Sequence, residues 1–174
     1  MESRITVRVE GSPKDGGDVR FSDFIKQLEA VRTALRHTER LVLKDEETER
    51  NSVYYRVVDL RRSGPATVVL EAVVSDPSQS ADMPSRVVGK FFSSLSNIRD
   101  QRGIPEDFDL AALEAYRDLG AGLKRNMAAI AIENGDQKFP IDYEYEECVI
   151  KIAPQATGEM STEQFAHSIR DLWR

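Results

Sequence analysis

Side chains suited to acid–base or nucleophilic chemistry are few in this chain. Its 174 residues include two histidines, His37 and His167, and one cysteine, Cys148. Histidine is the usual proton donor or acceptor near neutral pH, but His167 lies in a basic helical segment with Arg170. Cys148 has no basic neighbour before Lys151, and the chain contains no Gly-x-Ser-x-Gly nucleophile elbow. We therefore assign no catalytic residue and interpret Cys148 as a structural thiol.

His37 stands at the end of a short basic segment. Residues 32–37 are similar to the loose Arg-x4-His pattern of the HEPN ribonucleases. This resemblance implies ribonuclease activity with Arg32 and His37 in the site. HEPN ribonucleases are all-α, whereas this chain carries strong strand patterns. We therefore favour a solvated helix end at which Arg and His side chains complement the helix dipole.

The sequence does not contain the usual motifs of metal or nucleotide sites. Two histidines without a neighbouring cysteine pair do not make a transition-metal cluster. Neither Asp59 nor Glu71 belongs to the Glu-x-Lys spelling expected of a magnesium-dependent nuclease, and we interpret Glu71 as a cross-strand partner for Arg56 or Arg61. The glycine-rich segment 11–18 matches neither the P-loop nor the dinucleotide fingerprint. The sequence therefore predicts no metal and no cofactor.

A cluster of arginines provides an alternative function. Arginines at intervals of four place one basic row on a helix, and a predicted hairpin turn adds two more. The net charge of -6 opposes this interpretation, because phosphate contacts require clustered Lys and Arg. Nucleic-acid binding, or a ribonuclease-like factor, is thus the alternative prediction. Its residues are Arg32, Arg36, His37, Arg40, Arg61 and Arg62.

The strongest functional pattern is near the C-terminal end. Residues 161–164 read Ser-Thr-Glu-Gln, which is a capping box for a helix with its apolar residues on one stripe. Such a stripe is buried either on its own domain or on another chain, and Trp with Arg is typical of binding hot spots. Both alternatives stay open. The predicted partner-binding stripe is Phe165, Ile169, Leu172 and Trp173.

Two hairpins organise the predicted sheet. Runs 53–60 and 67–74 flank a turn-forming segment, and the second run is mostly apolar on both faces. We expect that run to be an internal strand covered on both faces. Runs 128–133 and 138–141 flank Asn-Gly, which favours a type I′ turn. Pro140 places the last of these strands at an edge or makes it very short.

Helical periodicity accounts for most of the remaining sequence. Ser22 and Asp109 are suited to cap two of the helices, while segment 142–152 fits neither period cleanly and is interpreted as a helix. The predicted order is βαββααββαα, in a single α+β domain with a mostly antiparallel sheet. Residues 1–154 form the predicted core domain. Residues 155–174 form a short linker and a C-terminal amphipathic helix that docks on the core or on a partner.

Composition limits the broad class of the protein. One cysteine excludes an internal disulfide, and no run approaches the roughly 18 apolar residues of a membrane span. The first residues lead directly into a strand pattern, so we expect no signal segment, a cytoplasmic setting and no membrane partner. The expected function is a non-enzymatic protein-interaction module that self-associates or acts as a subunit of a larger assembly.

Overall fold

The computed structural model describes residues 3–43, 53–61, 65–100, 108–124 and 127–156. The strands are β1 (Arg4–Gly11), β2 (Val53–Arg61), β3 (Ala66–Val74), β4 (Met127–Asn134) and β5 (Gln137–Ile141). The α-helices are α1 (Phe21–Val42), α2 (Met83–Arg99), α3 (Leu110–Asp118) and α4 (Tyr143–Ala156). The order βαββααββα confirms the first nine predicted elements. The tenth, the C-terminal helix, lies outside the described residues.

The five strands form one antiparallel sheet of order β2-β3-β1-β4-β5. Both predicted hairpins are confirmed, as β2–β3 and β4–β5. Gly135 adopts a positive φ of 54° in the second turn, where a residue without Cβ is favoured. Pro140 lies in β5, an edge strand of five residues, as its missing backbone donor predicts. Within the part of the chain that the structure describes, the sheet therefore has β1 at its centre and β2 and β5 at its edges.

The described helices pack on one face of this sheet. Ile5, Val7 and Val9 of β1 are fully buried there, and α1 packs against both α2 and α3. Phe91 of α2 is also fully buried, with its ring 5.6 Å from that of Tyr116 on α3. Each such side chain contributes about 1.5–3 kcal/mol by leaving water. The core thus lies between the helical layer and the central strands.

The opposite face of the sheet carries charged side chains. Glu71 of β3 forms ion pairs there with Arg4 and Arg56. Within the described residues, β3 is covered by helices on one face only, which corrects our expectation of cover on both. Val69 and Val73, which suggested that cover, are only partly buried.

Two helix boundaries differ from the sequence prediction. α1 begins at Phe21 with Arg20 as its N-cap, so Ser22 lies inside the first turn and does not cap it. α4 extends to Ala156, through the start of the predicted linker. Pro154 suggested an earlier end, but a proline in the last turn removes a single backbone hydrogen bond. The cap at Asp109 is confirmed, because its Oδ1 accepts from the amide of Ala112 at 2.7 Å.

Buried polar contacts join α1 to α3 and β2, and α3 to α4. The hydroxyls of Thr38 and Tyr116 lie 2.7 Å apart, and the Tyr145 hydroxyl donates to the Tyr116 carbonyl at 2.9 Å. The buried Glu39 carboxylate accepts from the amide of Val53 at 3.1 Å. Satisfied polar groups of this kind specify one packing arrangement. They set the start of β2 beside the C-terminal half of α1.

Candidate functional site

β2 forms one edge of the sheet and exposes large apolar side chains. Val57 is 61% exposed, Leu60 is 64% exposed and Tyr54 is 47% exposed. Within the described part of the chain, no strand pairs with the outer edge of β2. Apart from the amide of Val53, which donates to the Glu39 carboxylate, the outward N–H and C=O groups of β2 are therefore open to an additional strand. We call β2 with its exposed side chains the β2 edge.

A β-bulge determines which side chains share a face of β2. Val57 pairs with Leu70 of β3, whereas Asp59 pairs with the adjacent Val69. Val58 is the extra residue between them, and an extra residue shifts the alternation of the strand by one position. Even-numbered residues before the bulge consequently share a face of the sheet with odd-numbered residues after it.

The bulge places side chains of complementary chemistry on the same face of the sheet. Arg56 lies opposite Glu71 and Asp59 lies opposite Val69, so both belong to the charged face of the sheet. Tyr55 and Leu60 both belong to the face that carries the helices. Without the bulge, residues three positions apart would point to opposite faces.

Ion pairs hold the charged side chains of this edge. The Arg56 Nε donates to Glu71 at 2.6 Å, and the Arg61 Nε donates to Asp59 at 2.7 Å. The hydrogen bond from Arg56 lowers the pKa of the Glu71 carboxyl, with the charges of Arg56 and Arg4 acting in the same direction. Arg56 and Arg61 are largely exposed, and exposed pairs contribute little to stability. They are therefore available to exchange partners.

A groove of about 510 Å³ separates α1 from the start of β2. Apolar side chains from both sides line it, while Arg32 and Arg36 accompany Glu29 on the helix side. Burial, followed by the charge of the Glu39 carboxylate, raises the pKa of Tyr55 and so disfavours ionisation of this lining phenol. The groove extends the apolar surface of the β2 edge. Its apolar lining is Ile25, Leu28, Leu35, Val53, Tyr55 and Leu70.

The predicted basic row lies on one exposed face of α1. Arg32 and Arg36 are exposed at the groove, and Arg40 is exposed one turn later. His37 is half-buried, and burial followed by the charge of Arg40 lowers its pKa. A lowered pKa favours the neutral form of this imidazole. Among the six residues of the alternative site, Arg32 and Arg36 share the groove.

The other two residues of that predicted site belong to the first hairpin. Arg61 lies at the end of β2 and pairs with Asp59. Arg62 lies outside the described residues. The nucleic-acid site stays a prediction.

The predicted partner-binding stripe falls on residues 157–174, outside the described residues. Its docking on the core or on a partner stays a prediction, as does the boundary of the core domain near residue 154. The part of the candidate site that lies within the described residues is accordingly the β2 edge with its groove. The stripe comprises Phe165, Ile169, Leu172 and Trp173.

Within the described ranges, no group of three or more His, Cys, Asp and Glu side chains is placed to hold a metal ion. No helix in the same ranges is long and apolar enough to cross a membrane. Cys148 is buried, with its thiol 3.5 Å from the Arg99 carbonyl, which agrees with a structural thiol. No protein-family model, curated protein or solved structure matches the chain. A functional assignment therefore depends on the geometry of this chain.

Sequence reasoning missed the exposure of the β2 edge. It placed an edge at Pro140 and did not assign the second one. The available signal was the spacing of Arg56, Asp59 and Arg61 within an apolar strand, because charged residues are common on edge strands. The bulge had no sequence signal of its own.

Proposed function

We propose that this protein is a non-enzymatic, cytoplasmic protein-interaction module that self-associates or acts as a subunit of a larger assembly, with the β2 edge as a docking surface. One observation carries the proposal: Val57 and Leu60 each expose more than half of their surface. They do so on a strand whose outer backbone edge is open within the described residues. Exposed apolar surface beside an open strand edge is typical of association sites.

The geometry favours recognition through an added strand. An extended segment beside β2 would form backbone hydrogen bonds with its outer edge. Alternate side chains of that segment would contact Leu60 on one face and Arg56 on the other. The groove beside α1 offers additional apolar surface at Val53 and Tyr55.

The predicted C-terminal stripe is the second contact element in this proposal. Replacing Leu172 and Trp173 with Ala should weaken assembly while the domain stays folded. Unfolding of the monomer in that variant would instead identify the stripe as part of the core. Circular dichroism and sedimentation velocity on the same sample distinguish these two results.

The double substitution Val57→Lys and Leu60→Lys tests the docking surface directly. Burying the exposed parts of these side chains, 61% and 64% of each, stabilises an assembly by about 2–4 kcal/mol, so the variant should associate at least about tenfold more weakly. Association is measured by sedimentation and by affinity capture from host lysate with nuclease present. Tyr143→Lys is the matched control, since Tyr143 on α4 is also 61% exposed.

Unchanged association of the lysine variant would contradict the proposal, provided that its circular dichroism and thermal melting match those of the wild type. A wild-type protein that neither self-associates nor captures a protein would contradict it as well. The control should behave as the wild type in both assays.

Nucleic-acid binding is the alternative proposal, and the presence of Arg32 and Arg36 at one groove supports it. Glu29 at the same groove and the net charge of -6 weaken it. Binding through these arginines should fall steeply with salt and with Arg32→Gln plus Arg36→Gln. Association that resists both nuclease and salt favours the protein partner.

A further inference from the structure

We infer that β2 binds β2 of a second copy of this chain, antiparallel and in a two-fold register centred between Val57 and Val58. The described residues of each copy form a five-stranded sheet, so the pair forms one continuous sheet across the two-fold axis. The inference rests on the proposed function and specifies its partner. It follows from the self-complementary order of side chains along the β2 edge.

Charge complementarity defines the register. Opposing residues of an antiparallel pair lie on the same face. In the inferred register Arg56 of each copy lies opposite Asp59 of the other, and both residues belong to the charged face in the monomer. The two-fold axis repeats the contact, so the interface holds two arginine–aspartate pairs.

The bulge at Val58 makes this pairing possible. Arg56 and Asp59 are three positions apart, and in a regular strand they would point to opposite faces. The extra residue restores them to one face. Although bulges often protect edges from pairing, here the two copies would place their bulges symmetrically beside the axis.

Apolar side chains also match in the same register. Tyr55 of one copy lies opposite Leu60 of the other, on the helix side of the sheet. Val57 lies opposite Val58 of the second copy, and these two side chains are 61% and 45% exposed in the monomer. Pairing therefore covers the apolar surface that the single chain leaves in water.

Tyr54 and Arg61 complete the match on the charged face. They lie opposite each other across the two copies, and Tyr54 is 47% exposed in the monomer. An arginine beside a tyrosine ring adds a cation–π contact. Every residue from Tyr54 to Arg61 thus meets a complementary residue of the second copy.

The opposite edge of the sheet does not offer this match. β5 has five residues, whereas β2 has nine. Pro140 removes a backbone donor from β5. A short strand and a missing donor both discourage strand addition. Self-pairing is accordingly assigned to β2.

Charge reversal with mixing tests the register. Arg56→Asp and Asp59→Arg each place like charges opposite one another in a homodimer, so each variant alone should dimerise at least about tenfold more weakly. In an equimolar mixture, the acidic strand of one variant faces the basic strand of the other. We expect the mixture to form a heterodimer with nearly wild-type affinity, measured by sedimentation equilibrium.

Matched controls separate pairing from folding. Lys138→Glu on β5 makes the same change in charge as Arg56→Asp and should dimerise as the wild type. Circular dichroism confirms the fold of each variant. Asp59→Arg leaves the contact between Arg56 and Glu71 in place, so it tests the register even if Arg56→Asp fails to fold.

Four outcomes would overturn the inference. In the first two, both single variants dimerise as tightly as the wild type, or the mixture of folded variants does not recover dimerisation. In the third, the wild-type chain is monomeric at about 100 µM. In the fourth, dimers are lost only when Leu172→Ala and Trp173→Ala are combined. In each case the proposed function is judged separately, by the effect of Val57→Lys plus Leu60→Lys on capture of another protein. Failure of the register is therefore distinct from failure of the docking surface.

Discussion

Leu60 and Val68 offer a direct comparison of exposed and buried positions on one face of the sheet. They are opposing residues of β2 and β3. Leu60 is 64% exposed, whereas Val68 is 1% exposed. Replacing each with Ala in separate variants changes the same face at neighbouring sites, and both variants introduce the same residue.

The expected losses in the free energy of unfolding follow from the number of carbon atoms removed and from how deeply those atoms are buried. Val68→Ala deletes two buried methyl groups, at about 0.8 kcal/mol each, and leaves a cavity, so it should cost about 2–3 kcal/mol. Leu60→Ala deletes three carbons, about 2.4 kcal/mol if fully buried. Since 64% of Leu60 is exposed, about a third of that figure applies, or roughly 0.9 kcal/mol.

Urea unfolding measures the two losses, provided that the m values agree with that of the wild type. Dilute protein is required, because association would add stability at Leu60. Equal losses for the two variants would refute the assignment of Leu60 to an exposed edge. Raising the protein concentration should enlarge the loss at Leu60 and leave the loss at Val68 nearly constant.

The remaining predictions concern local contacts. Asp109→Ala removes the side-chain cap of α3 and should lower the free energy of unfolding by about 1 kcal/mol in urea titrations. Burial raises the pKa of Tyr145 well above its usual value, so wild-type stability should fall as the pH rises above about 10, where the unfolded phenol ionises. Tyr145→Phe should make that alkaline fall shallower. For Glu71, whose pKa is lowered by Arg56, stability should fall as the pH drops below about 4.3, and Glu71→Gln should reduce this acid sensitivity.

Each of these predictions has its own opposing result. Asp109→Asn keeps a capping oxygen and should retain most of the stability; an equal loss in both variants would show that capping is not the cause. An alkaline profile unchanged by Tyr145→Phe would exclude that phenol as the titrating group. An acid profile of Glu71→Gln identical to that of the wild type would exclude a contribution from the pair with Arg56.

The order of elements was predictable because most of the local patterns agree with the fold. The alternation around Val7, the Asn-Gly turn at Gly135 and the cap at Asp109 are short-range features, and the structure confirms each of them. Pro140 at an edge is equally local, since proline removes a backbone donor whatever its surroundings. Such signals require no knowledge of distant contacts.

The candidate site was less predictable because it depends on which part of the sheet the helices leave uncovered. Val57 and Leu60 resemble core residues in sequence, and their exposure follows from α1 packing toward α2 and α3. The shared face of Arg56 and Asp59 depends on one extra residue in β2. Neither the helix placement nor the bulge leaves a periodic trace in the sequence.

Hydrogen exchange across residues 53–61 measures directly whether the outer edge of β2 becomes covered on assembly. The β2 edge is proposed as a docking surface, so its outward backbone amides should exchange quickly in dilute protein and become protected as the concentration rises or a captured partner is added. Amides of β1, paired on both sides, should stay protected throughout. Outward β2 amides that exchange equally fast in the free and the assembled protein would show that the β2 edge is not the docking surface.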